Sequence, residues 1–166
     1  MGIEIERRFL VENEDWRKMV LNSEEFMQGY LIVNKEDWTI RVRIINNNKG
    51  LLTLKSPLAS FINHEFEYQI PNRDAFNLLK LSKYQISKTR YQINSHGKNW
   101  VIDSFHNANS SLTLAEIELE NQFEEFIVPS WCGKEITGYK SLSNASLAQL
   151  PISKLSIQDR MKDKDP

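Results

Sequence analysis

The residues whose chemistry stands out come as like-charged pairs two positions apart. Glu4 and Glu6, Arg41 and Arg43, Glu65 and Glu67, Lys88 and Arg90, and Glu116 and Glu118 all show this spacing. In an extended strand, residues i and i+2 share a face about 7 Å apart, so each pair sets like charges side by side. A surface shaped only for solubility would mix signs along each strand. Like-signed pairs make sense where a polyanion neutralises the bases and divalent cations neutralise the acids. Arg8, Lys55 and Asp103 fall in the same polar phase of their own segments.

Strands are the elements that would hold such groups. Period-two alternation predicts eight of them, near 3–11, 28–34, 38–46, 50–56, 63–70, 86–94, 98–106 and 111–119. Asn46-Asn47-Asn48-Lys49-Gly50 and Asn94-Ser95-His96-Gly97 read as hairpin loops, and Ser56-Pro57 ends the fourth strand. Helical spacing predicts helices over 13–20, 72–83, 120–127 and 141–150. Polar residues from 156 to 166 read as a flexible tail behind a domain spanning 1–155.

Two architectures fit this pattern. One is an open sheet with a solvated charged face and helices on the other. The second is a closed eight-stranded barrel, polar inside, with helices against its apolar outer face. Periodicity alone leaves both open.

Composition narrows the function classes. The 166 residues suit one domain, and 40% of them are hydrophobic, enough for a core. Twenty-one basic and 22 acidic residues leave a net charge of −1, so no global field draws in nucleic acid or an anionic membrane. Cys132 is the only cysteine, which excludes an intrachain disulfide and suits a reducing, cytoplasmic setting. No apolar run approaches the ~18 residues of a membrane span. Met1 to Arg8 is charged and alternating, unlike a secretory signal. The sequence does not fix the oligomeric state, and a homodimer is compatible with it.

The same charged residues sit inside a longer ordered set of motifs. Glu4-Ile5-Glu6-Arg7-Arg8-Phe9-Leu10-Val11 resembles the E-x-E-x-K-F-L-V opening of the CYTH, or triphosphate tunnel metalloenzyme, family. Gln28-Gly29-Tyr30-Leu31 resembles its Q-G-Y-L, Arg41-Val42-Arg43 its R-x-R, and Leu52-Thr53-Leu54-Lys55-Ser56 its L-T-x-K-S. Glu65-Phe66-Glu67-Tyr68, Lys88-Thr89-Arg90-Tyr91, Val101-Ile102-Asp103-Ser104-Phe105 and Leu114-Ala115-Glu116-Ile117-Glu118-Leu119 follow in the family's order. Gly133-Lys134-Glu135-Ile136-Thr137 and Asn144-Ala145-Ser146-Leu147-Ala148 are similar to its G-x-E-V-T and N-x-x-L-A.

The resemblance implies a closed antiparallel eight-stranded tunnel with charged walls that cleaves a triphosphate, here inorganic triphosphate as in the compact bacterial members. It implies Arg8, Arg41, Arg43, Lys55, Lys88 and Arg90 as phosphate-binding groups. Glu4, Glu6, Asp103, Glu116 and Glu118 are then the metal side, holding Mg²⁺ or Mn²⁺ through hard oxygen donors. Glu4, Arg8 and Tyr30 are the expected catalytic residues. Glu65 and Glu67 are expected to orient bases on neighbouring strands. Phosphoryl transfer needs mainly positioning and charge neutralisation, so no Ser or Cys nucleophile is required. The chain carries no G-x-x-x-x-G-K-[ST] or G-x-S-x-G pattern.

Arg8 departs from the family's Lys. It keeps the charge and can grip phosphate with two donors, but it cannot release a proton near neutral pH. Other substrates of the family, nucleoside or thiamine triphosphates, and a class IV-type cyclase reaction are the alternatives, with a non-catalytic polyphosphate binder as a further one. His64, His96 and His106 read as ordinary polar residues, and Trp16, Trp38, Trp100 and Trp131 as packing. Lys140 is expected to face an entrance of the tunnel.

Overall fold

Alternating strands carry one charged face and one apolar face, and closing the sheet hides the first while helices and loops cover the second. The computed structural model, which describes residues 2–33, 38–59 and 62–162, shows a closed sheet. Its strands are β1 (Gly2–Val11), β2 (Val20–Val33), β3 (Thr39–Ile45), β4 (Lys49–Ala59), β5 (Ile62–Ile70), β6 (Tyr84–Ser95), β7 (Lys98–Phe105), β8 (Thr113–Glu118) and β9 (Cys132–Glu135). Eight of them form a ring in the order β1-β5-β4-β3-β2-β6-β7-β8, all antiparallel. Strand β1 closes it by dividing its length. Gly2–Ile5 pair with β5, and Glu6–Leu10 pair with β8.

The expected hairpins are present. Asn46 and Asn47 take φ of 48° and 59° between β3 and β4, and His96 and Gly97 take 51° and 75° between β6 and β7. Such left-handed pairs match the twist of the strands they join. Strand β9 was not legible in the sequence. It is four residues long and does not alternate, and it pairs with β1 only through Phe9 and Val11.

Two helix expectations need correction. Residues 13–20 form only a 3₁₀ turn, Asp15–Met19, because Val20 already pairs with Ile93 and starts β2. That strand therefore begins at residue 20 rather than 28. Residues 120–127 are irregular. Their backbone donors go to nearby side chains, Glu120 N–H to Glu124 and Phe123 N–H to Asn121, which competes with a helical ladder. Phe126 packs against Phe9 and Trp100.

Helix α1 (Asn72–Leu81) lies on the outer face of β3, burying Ala75 and Leu79 against Val42 and Ile44. It approaches closely because Gly50 has no side chain there: a Cβ would sit 2.5 Å from that of Ala75. The larger outer core joins Phe9, Trp16, Trp100, Ile102, Ile117 and Trp131. Trp38 does not join it and is 37% exposed. Helix α2 (Asn144–Gln149) behaves differently from α1. Its Leu147, with Leu142 before it, meets Ile86, Phe105 and Leu114. These three continue the inward rows of Lys88, Asp103 and Glu116, so α2 and the turn before it cover the inner face at one end. The tail expected from 156 begins with a helical turn, α3 (Ile157–Arg160), whose Arg160 is buried and donates to the carbonyls of Ser141, Leu150 and Leu155.

Candidate functional site

Register explains how the like-charged pairs are tolerated. Arg8 lies directly across from Glu116, Lys55 from Glu65, and Arg90 from Asp103. In these three pairs a base on one strand meets an acid on its neighbour, whereas Glu6 lies across from Glu118. The inward face thereby splits into two ion clusters.

The first cluster centres on Lys55. Its ammonium contacts Glu4 and lies 3.5 Å from Glu65 and 4.0 Å from Glu6. Arg41 approaches Glu67 at 3.4 Å and Glu65 at 3.8 Å, and Arg43 approaches Glu67 at 3.7 Å. Thr53 donates to Glu67 at 2.8 Å and accepts from Arg41 at 3.0 Å. The side chains of Glu4, Glu6, Glu65 and Lys55 stay between 22% and 26% exposed. Burial, with Glu6 beside it and Glu65 nearby, pushes the Glu4 carboxyl up to about 7 in spite of Lys55. Lys55 is pushed upward as well, since its three carboxylate neighbours outweigh the cost of burial.

The second cluster centres on Asp103, which is itself closed to water. Arg90 grips it with two donors at 2.7 Å, and Lys88 donates to Oδ2, which it shares with Arg90. Arg90 also reaches Glu116 at 2.7 Å, and Arg8 reaches Glu116 at 3.1 Å. Lys88 and Asp103 have no exposed side-chain surface. Burial opposes ionisation of Asp103, but Arg90 and Lys88 overcome it and hold the carboxyl well below the usual range. Burial pulls the Lys88 ammonium down to about 7, with Asp103 pulling the other way. Glu116 is lowered too: burial and Asp103 oppose its charge, and Arg90 and Arg8 prevail. Glu118, across from Glu6, is exposed.

A cavity of about 460 Å³ opens beside the first cluster. Glu6, Arg8, Tyr30, Arg41, Thr53 and Lys55 line one side of it. Thr137 to Lys140 and Ser143 to Ser146 line another. Arg43, Lys88 and Arg90 do not line it; they lie inside the barrel with Phe26, whose ring they overlie at 4.7, 5.9 and 5.3 Å. Tyr30 is buried, and burial raises its pKa although Arg41, Arg43 and Lys55 pull it down. The Tyr30 hydroxyl accepts from Gln28 at 3.2 Å, and Gln28 accepts from Arg43 at 3.0 Å.

Several of these residues escaped sequence reasoning. Gln28 lies in the Q-G-Y-L motif and Asn144 in N-x-x-L-A, but uncharged side chains gave no signal in the charge pattern. Asn144 accepts from Lys88 at 3.4 Å, joining the buried cluster to α2. Phe26 alternates in phase with Gln28 and Tyr30, which was the available clue.

The donor set suits a divalent ion. Glu4, Glu6 and Glu118 supply hard oxygen donors, and burial together with the nearby Glu6 and Glu65 raises Glu4. Among the described residues no three carboxylates are already drawn together around one point.

A closed antiparallel barrel with an inward-facing lattice of bases and acids beside a cavity defines a tunnel protein equipped for a multiply charged anion. The chain belongs to the CYTH domain family, whose model matches residues 2–147. An inorganic triphosphatase of Acetivibrio thermocellus is 35% identical over 91% of this chain and 96% of that protein. One of Nitrosomonas europaea is 32% identical over 87% of this chain and 96% of its own. The crystal structure of an inorganic triphosphatase matches with a TM-score of 0.62 and 31% identity, over 89% of this chain and 95% of that one. Family membership implies a divalent metal.

Proposed function

We propose that this protein hydrolyses inorganic triphosphate to pyrophosphate and phosphate with the help of Mg²⁺ or Mn²⁺. The observation that carries this reading is the cavity of about 460 Å³ with Arg8, Arg41 and Lys55 on its wall beside the carboxylates of Glu4 and Glu6. Two relatives of nearly full coverage bear the name inorganic triphosphatase.

Arg41 and Lys55 hold phosphate oxygens directly, since both line the cavity and keep contact with solvent. Arg8 lines it too, but its fork also holds Glu116 and the Leu142 carbonyl, so it orients and adds charge rather than moving a proton. Arg43, Lys88 and Arg90 supply positive potential from behind. Tyr30 accepts from Gln28, which leaves its own O–H proton to donate to a phosphate oxygen. Burial keeps that hydroxyl protonated at neutral pH. Glu4, Glu6 and Glu118 are the open metal-side carboxylates; Asp103 and Glu116 join them only by giving up an Arg or Lys partner. A bound divalent ion neutralises phosphate charge and polarises water. In the reaction, a water oxygen forms a bond to a terminal phosphorus and gives up a proton to solvent, one P–O–P bond breaks, and the pyrophosphate oxygen keeps the electron pair.

Phosphate release from triphosphate with Mg²⁺, Mn²⁺ or no metal tests the reading. Metal-dependent release is expected, and activity that survives in Glu4→Gln contradicts the metal role given to that residue. A second reading, an organic triphosphate, draws on one observation: Val33, Pro57 and Leu58 give the same cavity an apolar rim. Chromatography of ATP incubations separates the two, showing either no change, ADP and phosphate, or a cyclic product with pyrophosphate. A reducing, cytoplasmic setting suits the single thiol of Cys132, which burial pushes up to about 12.

A further inference from the structure

One wall of the cavity comes from outside the eight-stranded ring, and it is fastened unusually well. The Arg7 guanidinium grips Glu135 with two donors at 2.5 and 2.6 Å. Thr137 donates to Glu135 at 2.6 Å and accepts from the Arg8 backbone N–H at 3.0 Å. Ile136 N–H donates to the Arg8 carbonyl, and the Arg8 side chain donates to the Leu142 carbonyl at 3.1 Å. Arg160 donates to the Ser141 carbonyl at 2.6 Å. These bonds surround Lys140, which is exposed and lines the cavity.

The cations on the cavity wall differ in their partners. Arg8 faces Glu116; Arg41 faces Glu65 and Glu67; Lys55 faces Glu4, Glu6 and Glu65. Lys140 is the cavity-lining cation with no carboxylate partner among the described residues. A paired cation shares its charge and must loosen one bond to make another. An unpaired ammonium keeps its whole charge and three donors. Its long stem reaches without fixing a geometry, which suits a terminal phosphate.

We infer that Lys140 is a further substrate-binding residue: its ammonium receives the outer phosphate of the chain as the anion enters, and the Arg7–Glu135 clamp holds the wall that carries it. This rests on the proposed triphosphate reading. The role is in capture, because Lys140 stands at the solvent side of the cavity while Tyr30 and Glu6 stand within the barrel.

The test is Lys140→Gln and Lys140→Arg, measured against the unaltered protein. For Lys140→Gln, the KM for inorganic triphosphate is expected to rise on the order of tenfold with kcat within twofold, as for a lost charged hydrogen bond. Lys140→Arg restores KM. The dependence of KM on salt becomes shallower in Lys140→Gln, which a structural defect would not produce. An unchanged KM, or a fall in kcat with KM constant, overturns the inference. Calorimetry with triphosphate in metal-free buffer is run on the same proteins. If the unaltered protein shows no turnover, the proposed function fails, and this arm still decides on Lys140: equal affinities reject its role, and a tenfold weaker Lys140→Gln supports it.

Discussion

The Lys55 cluster and the Asp103 cluster use the same residue types on the same inner face, yet they are built to opposite ends. Around Lys55 one base serves three carboxylates and all keep a quarter or so of their surface in water. Around Asp103 two bases serve one carboxylate, and Lys88 and Asp103 are wholly enclosed. Ion pairs that stay wet are cheap to rearrange, whereas enclosed ones are costly to break. On the proposed function, the first cluster is therefore the one for a metal and a phosphate chain to enter, and the second holds the barrel around it.

Asp103→Ala should separate the two most sharply. It strands Lys88 inside the barrel and leaves Arg90 with Glu116 alone, so denaturant unfolding should show a loss of about 3–5 kcal/mol. A loss under about 1 kcal/mol would mean that water reaches this cluster, and the contrast would fail.

Glu4→Gln should give the mirror result. Turnover of triphosphate should fall on the order of a hundredfold if Glu4 is, as proposed, a metal-side carboxylate. Stability should hold or rise, because burial and neighbouring acids already disfavour the Glu4 charge.

The pH dependence of stability sharpens the same point. The folded Glu4 carboxyl titrates at about 7 against an ordinary 4.5. Between those values the folded chain binds the extra proton, so Glu4 makes stability fall as pH rises through that window. Above pH 7 the ionised Glu4 carries its full cost. Mg²⁺ or Mn²⁺ should offset it, so added metal should raise the melting temperature more at pH 8 than at pH 5. Equal shifts at both pH values would place the metal away from Glu4.

The smallest effect is expected at the junction of the clusters. Arg8→Lys loses the fork that holds Glu116 and the Leu142 carbonyl together, costing about 1 kcal/mol in stability. Turnover should change less than tenfold, as befits an orienting group. A larger gain in turnover would show that a titratable base at this position moves a proton.

Much of this was legible in the chain. The alternation located the ring strands, and the left-handed turns at Asn46-Asn47 and His96-Gly97 fell where Asn and Gly clusters marked them. Strand β9 was hidden because four residues carry too little pattern, and the irregular 120–127 stretch was misread because Glu and Phe at helical spacing say nothing of side chains that capture backbone donors. Gln28 and Asn144 sit within motifs that give them no role, since an amide's importance depends on what it touches.

The sequence by itself determined which residues share the charged face and with which sign, because a period of two is a local property of extended chain. Only the tertiary structure decided which acid meets which base and how much water reaches each pair. Those depend on register between strands far apart in the chain, such as Arg8 against Glu116 and Lys55 against Glu65. They also depend on the closure through β1, which turns a charged face into an interior whose dielectric sets what each charge costs.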